Sequence, residues 1–253
     1  MKNIAVITGA SSGFGKAIAY RFAENGFDLI LTARRADLLE TIKSDLTQKF
    51  GINVLALCFD VRDEHQVENA HDSIPQEWRN WSVLVNNAGL AVGRESLENG
   101  LSDDWNRMID TNVKGLLYIT RTFVRFMKEN KKGTIINIGS IAGKEAYAGG
   151  NVYSATKFAV DALSKSMRID FLPYNIRVSQ IAPGAAETEF SLVRFKGDTD
   201  KASSVYDGYQ PLSADDIADA AWFIASRPQH VCINDMVIMP TAQANATTFH
   251  KTI

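Results

Sequence analysis

Tyr153 and Lys157 stand four residues apart in the segment Asn-Val-Tyr-Ser-Ala-Thr-Lys, where an amphipathic stretch begins. On a helix, residues at i and i+4 share a face. A phenol with its ordinary pKa near 10 is a poor acid–base catalyst at neutral pH. A neighbouring ammonium favours the phenolate and makes the pair a candidate for moving a proton to or from an oxygen. Ser140, in Ile-Gly-Ser-Ile-Ala-Gly, follows the apolar run 134–138 and places a hydroxyl at the carboxyl end of a strand. Ligands of open α/β sheets collect there. Arg194 and Lys196 lie in the aperiodic stretch 190–212. Cations in such a segment suit a small carboxylate, because a buried carboxylate must be paired.

A second set of residues points to a nucleotide. The first apolar run ends in Thr8-Gly9-Ala10-Ser11-Ser12-Gly13-Phe14-Gly15, and an amphipathic helix pattern follows at once. Glycines at such a turn let the backbone approach a pyrophosphate, whose charge then sits at a helix N-terminus. The spacing is Gly-x-x-x-Gly-x-Gly, not the general Gly-x-Gly-x-x-Gly. At the end of the second run, an acid would bind the 2′-hydroxyl of NAD and an arginine the 2′-phosphate of NADP. Here the sequence reads Thr32-Ala33-Arg34-Arg35 with no acid before Asp37, so NADP is the expected cofactor.

These residues need a scaffold that brings strand ends together, and the pattern supplies one. Apolar runs at 3–8, 28–32, 53–59, 82–85, 133–138, 176–181 and 235–239 alternate with amphipathic stretches. That is the signature of successive βαβ units and a parallel sheet covered on both faces. Apolar residues from Met108 to Met127 recur at helical steps and predict one helix over about 102–130. Ser213 with Asp216 predicts a capping box before a helix at 214–226, and Asp63 with Gln66 a similar start. The expectation is an α/β, Rossmann-type doubly wound sheet of about seven parallel strands. It forms a single domain over 1–253, with a lid at about 190–212.

Composition narrows the function classes. With 253 residues, 45% of them hydrophobic, the chain suits one sizeable core. A net charge of −2 leaves no footprint for nucleic acid or an anionic membrane surface. The apolar run after Lys2 stops at Thr8-Gly9, too short for a secretory signal, and no run is long enough to span a bilayer. A cytoplasmic protein is expected. His65, His71, His230 and His250 show no metal-ligand spacing, so no metal is expected. Cys58 and Cys232 sit in apolar runs and read as small buried hydrophobes in a reducing compartment.

Taken together, the chain resembles the short-chain dehydrogenase/reductase family over nearly its whole length. The resemblance rests on Thr8-Gly9 to Gly13-Phe14-Gly15, Asp60-Val61, Asn86-Asn87-Ala88-Gly89, Asn112, Ser140, Tyr153, Lys157, and Pro183-Gly184 followed by Thr188. It implies that Tyr153 is the general acid or base at the reacting oxygen, and that Ser140 orients that oxygen. Lys157 would hold the nicotinamide ribose and depress the Tyr153 pKa. Asn112 would anchor a proton-relay water by distorting its helix. Ser11, Ser12 and the glycine turn would take the pyrophosphate side of the cofactor. Asp60 and Val61 would flank the adenine, and Asn87, Ala88 and Gly89 would line the cofactor site, with Asn87 by the adenine ribose. Pro183, Gly184 and Thr188 would close over the nicotinamide and pyrophosphate. One departure is Ala185-Ala186, where the family usually has a branched apolar residue. Association as a homodimer or homotetramer is implied through helices at about 102–130 and 153–171, with the tail 241–253 as an arm towards a neighbouring subunit.

A closer likeness concerns 187–198 (Glu-Thr-Glu-Phe, then Val-Arg-Phe-Lys-Gly-Asp), 87–91 and 147–153. These segments resemble the NADP-dependent 3-hydroxy acid dehydrogenases, which oxidise serine, allo-threonine and related acids. That likeness implies a substrate site built from Ser140, Tyr153 and Arg194. Two other readings stay open: a same-family reductase of an apolar ketone or 3-oxoacyl thioester, and a non-catalytic NADP-binding sensor. An apolar lid would favour the first, and loss of Ser140, Tyr153 or Lys157 the second.

Overall fold

All seven apolar runs form strands in the computed structural model, which describes residues 3–252. They are β1 (Ile4–Thr8), β2 (Asp28–Ala33), β3 (Val54–Cys58), β4 (Trp81–Asn86), β5 (Gly133–Ile138), β6 (Ile176–Pro183) and β7 (Asp235–Ile238). They build one sheet in the order β3-β2-β1-β4-β5-β6-β7. Every pairing is parallel. The order reverses between β1 and β4, and in such sheets ligands bind in the crevice at the carboxyl ends of the strands. Met1, Lys2 and Ile253, the ends of the expected 1–253 domain, lie outside the described residues.

Helices cover both faces of the sheet. On one side α1 (Gly13–Glu24), α2 (Ala36–Phe50) and α9 (Ala214–Ala225) pack over the central strands, with Phe22, Phe27 and Trp222 meeting edge to face at 5.2 to 5.7 Å. On the other, α3 (Glu64–Asp72), α5 (Leu116–Glu129) and α6 (Asn151–Phe171) pack around Trp81, Phe123 and Met127, and α4 (Ser102–Ile109) joins a smaller cluster through Met108, with Leu90, Val92 and Tyr153. Two buried amides anchor this face beneath the strand ends. Asn86 Nδ2 donates to Thr120 Oγ1 and Asn137 Oδ1, both at 2.9 Å, and Asn137 Nδ2 donates to Ser164 Oγ at 2.9 Å. These bonds fix α5 and α6 against β4 and β5, and α6 carries the reacting pair. Both expected caps form: Ser213 and Asp216 make a full capping box, and the Asp63 carboxylate accepts from Gln66 N.

Several expectations are corrected. Cys58 and Cys232 are exposed, not buried. Cys58 ends the edge strand β3, and Cys232 precedes the opposite edge strand β7, so the apolar runs around them have one open side. The stretch 190–212 holds two short helices, α7 (Glu189–Arg194) and α8 (Thr199–Ser204), which are too brief to show a period in sequence. They are joined through Lys196 and Gly197, both with positive φ. Apart from these corrections, the tail also meets its own chain: Thr252 N donates to Gly208 O, and the Phe249 and Tyr209 rings lie 5.1 Å apart. Exposed apolar side chains stand on both helices named for association: Ile109 and Leu117 on one, Phe158 and Ile169 on the other. Among the described residues, no helix is long and apolar enough to cross a membrane. Nor does any group of three or more His, Cys, Asp or Glu among them form a metal cluster.

Candidate active site

The glycine turn closes over the end of β1 and is held by its neighbours. Gly9 has φ +65°, a left-handed conformation suited to glycine. A Cβ on Gly15 would come within 2.4 Å of Gly9 O, so α1 can start this close only with glycine there. Asn87 braces the turn from below, donating both amide protons to Thr8 O at 2.9 Å and Gly9 O at 3.2 Å. Thr8 Oγ1 accepts from Asn87 N and Ala88 N, each at 3.0 Å, and ties β1 to the 87–89 loop. The sequence marks Thr8 only as part of the Thr8-Gly9 motif; the two bonds it accepts show its work in positioning this loop.

A cavity of about 350 Å³ runs from this turn along the strand ends. Gly9, Ser11, Ser12, Gly13 and Phe14 form its near end, with Arg34, Arg35, Asp60 and Val61 to one side. Asn87, Ala88, Gly89, Thr188, Tyr153 and Lys157 carry it towards the reacting pair. A glycine cradle that a Cβ would fill, opening into a cavity lined by two guanidiniums, fits a phosphorylated dinucleotide. The guanidiniums are already engaged. Arg34 lies 3.8 Å from Asp60. Arg35 donates to Ser11 Oγ at 3.0 and 3.2 Å and pairs with Glu189. Burial opposes ionisation of Asp60, but hydrogen bonds from Arg62 and the charge of Arg34 hold its carboxyl below the usual range.

Tyr153 and Lys157 are both buried on the first turns of α6. Ser140 caps the 3₁₀ turn Ile141–Gly143 with its Oγ, which accepts from Ala142 N at 3.1 Å. Burial pushes the Tyr153 phenol well above its ordinary pKa, and the Tyr147 phenol adds to the rise. A hydrogen bond with Ser140 and the charge of Arg194 pull the other way. The expected lowering by Lys157 does not appear. Its Nζ is 5.9 Å from the Tyr153 ring centroid and donates to Ile138 O at 2.9 Å, and burial pushes it down to about 8. In the protein alone, therefore, the phenol is a neutral proton donor.

The Lys157 shift makes a stability prediction. Its folded pKa, about 8, lies below the ordinary 10.5, so between these values the unfolded chain binds the proton and the folded chain does not. Stability carried by this group therefore rises with pH across that window. Urea unfolding should show a gain of about 2 kcal/mol from about pH 8 to about pH 10 that is missing in Lys157→Met. The same pH dependence in both proteins would refute the shift.

Asn112 lies in a π-helical turn, Asp110–Gly115, that interrupts the helix expected over 102–130. The local distortion is thus present, and such turns are common at functional sites. Both amide protons are used, on Leu90 O at 2.8 Å and Thr156 Oγ1 at 3.0 Å, while Oδ1 accepts from Leu90 N at 2.8 Å. The side chain therefore pins the 88–90 loop to α6.

A larger cavity of about 650 Å³ adjoins the first, and Tyr153, Gly139, Phe14, Thr188 and Phe190 line both. Pro183, Gly184 and the two alanines after it line this second cavity, with Ser140 and Tyr147. Arg194 ends α7 with its guanidinium carbon 5.7 Å from the Tyr153 ring centroid and 5.4 Å from that of Tyr147. Its Nε and Nη2 are buried and have no hydrogen-bond partner in the protein. Lys196 goes elsewhere, pairing with the buried Asp104 at 2.7 Å, so the two lid cations have separate tasks. Sequence reasoning missed Phe190, whose ring is 5.6 Å from that of Tyr153. It also missed Gln243, buried in the aperiodic tail, whose Oε1 accepts from Ala185 N at 2.7 Å.

Comparison with known proteins gives consistent results. The family described as short chain dehydrogenase matches residues 3–197. The chain is 47% identical to the NADP-dependent 3-hydroxy acid dehydrogenase YdfG of Salmonella typhi, over 96% of this chain and 97% of that protein. It is 42% identical to sulfoacetaldehyde reductase 2 of Chromohalobacter salexigens, over 96% of each. Among solved structures, the closed form of serine dehydrogenase complexed with NADP⁺ matches with a TM-score of 0.92 at 43% identity, covering 98% of this chain and all of that one.

Proposed function

The chain belongs to the short chain dehydrogenase family, and from that premise we propose that it is an NADP-dependent oxidoreductase acting on the 3-hydroxy or 3-oxo group of a small 3-hydroxy acid such as serine or allo-threonine. The observation that carries the reading is Arg194. A guanidinium with two unpartnered, buried N–H groups stands beside the candidate proton donor, in the wall of the larger cavity. A buried guanidinium of this kind suits a carboxylate, which it can bind through parallel hydrogen bonds.

NADP, when bound, supplies or accepts the hydride. The chain's own residues do the rest. The glycine turn and the start of α1 take the pyrophosphate, and Arg34 and Arg35 take the 2′-phosphate. Ser140 holds the reacting oxygen by its hydroxyl. In the direction of reduction, Tyr153 gives its phenolic proton to that oxygen as the carbonyl becomes an alcohol; in oxidation it takes the proton back. Lys157 holds the nicotinamide ribose, and the charge of Arg194 favours the phenolate that Tyr153 leaves behind. Arg194 binds the carboxylate and fixes which carbon faces the cofactor. Lys157 and Arg194 both lie within 6 Å of the Tyr153 ring centroid, at 5.9 and 5.7 Å.

The test is turnover of serine, allo-threonine, 3-hydroxybutyrate, 3-hydroxypropionate and an uncharged secondary alcohol, each with NADP⁺ and with NAD⁺, followed by formation of the reduced nicotinamide. The acids should be oxidised with NADP⁺, and the alcohol poorly. Activity on the alcohol alone would keep the family and discard the acid substrate. No turnover of any substrate with either cofactor would favour a non-catalytic NADP-binding protein.

A further inference from the structure

Arg35 faces two demands. The reading above puts it on the 2′-phosphate, yet in the folded chain its guanidinium already holds an anion. Nη1 and Nη2 lie 3.3 and 3.4 Å from one oxygen, Oε2, of Glu189. Nε and Nη2 donate to Ser11 Oγ at 3.2 and 3.0 Å. Binding a phosphate through two parallel N–H···O bonds needs one free edge of the guanidinium. Here the outer edge is on Glu189 and the inner edge is on Ser11.

Glu189 is also well placed to transmit what happens at Arg35. It is the first residue of α7, directly after the capping Thr188. The next residue, Phe190, packs on the Tyr153 ring, and the helix ends at Arg194 over Tyr153 and Tyr147. One six-residue helix therefore touches the cofactor-selecting arginine at its start and carries the candidate carboxylate ligand at its end.

We propose that Glu189 is a specificity-determining latch: its carboxylate holds the outer edge of Arg35 and competes with the 2′-phosphate of NADP for it. The phosphate gains Arg35 only by displacing the first residue of α7, so arrival at the cofactor end is felt by the helix that carries Arg194. NAD, which has no 2′-phosphate, leaves the latch in place. The inference rests on the reading that Arg35 meets the 2′-phosphate. The pair is partly exposed, with side-chain accessibilities of 46% and 55%, which sets the scale of the effect. Exposed ion pairs of this kind correspond to about a two- to five-fold change in an equilibrium constant.

Binding of NADP⁺ and NAD⁺ without substrate, measured by calorimetry on the wild type and on Glu189→Gln, tests the latch. Glu189→Gln should tighten NADP⁺ by about two- to five-fold and leave NAD⁺ unchanged. A ratio of the two affinities that stays constant, or moves towards NAD⁺, overturns the proposal. Glu189→Asp keeps the charge and shortens the reach, and should also shift the ratio towards NADP⁺; no shift would count against a latch. Arg35→Ala separates the two layers of argument. If it leaves cofactor preference untouched, the phosphate-binding reading of Arg35 is wrong and the latch falls with it. If it removes the preference, Glu189→Gln made in that background should give no further gain. A gain that persists without Arg35 is general repulsion, and it overturns competition for the guanidinium.

Discussion

Replacing Tyr153 by Phe is expected to lower kcat by about a thousandfold, within the range of about 10² to 10⁴ for losing a positioned proton donor, while NADP⁺ binds with nearly wild-type affinity. The ring fills its space in both proteins: it packs against Phe190 and under the Arg194 guanidinium, and none of those contacts needs the hydroxyl. Only the hydrogen bond with Ser140 and the transferable proton are lost. The phenol carries its proton at pH 7, and burial raises its pKa further, so the charge of Arg194, which pulls the pKa down, favours giving that proton up. Lys157 and Ser140 remain in the variant, which makes the experiment specific to the proton itself. A variant that keeps more than a few per cent of the wild-type rate would remove Tyr153 from the proton transfer. Loss of NADP⁺ affinity in proportion to rate would mean the hydroxyl binds cofactor and does no chemistry.

The fold and the candidate site were legible to different depths. Strand positions followed from apolar runs, because a parallel sheet covered on both faces leaves those residues little alternative. The runs misled at the two edges, where Cys58 and Cys232 stand in the open although their neighbours in sequence are apolar. Tyr153, Lys157 and Ser140 stood out as candidates because proton transfer would need those residue types at strand ends and helix starts, and the fold gathers them around the two adjoining cavities. What was hidden is what depends on long-range contact. The Asn112 amide spends its protons on a loop 22 residues earlier and a helix 44 residues later, and no spacing rule reports that. The Glu189 carboxylate reaches an arginine 154 residues away. Gln243 sits in a tail with no period at all, yet its side chain supports Ala185 at the cavity wall. Lid cations look alike in sequence, and only the packing sends Lys196 to Asp104 and Arg194 towards Tyr153.

The second large effect concerns Arg194. In Arg194→Gln, kcat/KM for small 3-hydroxy acids should fall by about 10² to 10³, the scale of about 3 to 4 kcal/mol for a desolvated charge pair that loses one partner. Turnover of an uncharged secondary alcohol should change by no more than a few-fold. The contrast matters because Arg194 has two ways to act. Its charge also pulls the Tyr153 phenol towards ionisation, against burial. A residue acting only through the phenol would slow acid and alcohol alike and would move the pH profile for both. A residue that binds the carboxylate separates the two substrates, and most of the loss appears in KM for the acids. The backbone role of Arg194, whose carbonyl accepts from Gly93 N at 3.0 Å, survives the substitution, so the lid keeps that anchor. Arg194→Lys sharpens the distinction: it keeps the charge near the phenol but loses the planar fork, so the acids should still suffer while the alcohol is untouched. Equal losses for acid and alcohol in both variants would move Arg194 from the substrate to the phenol and leave the carboxylate without a partner among the residues named for it.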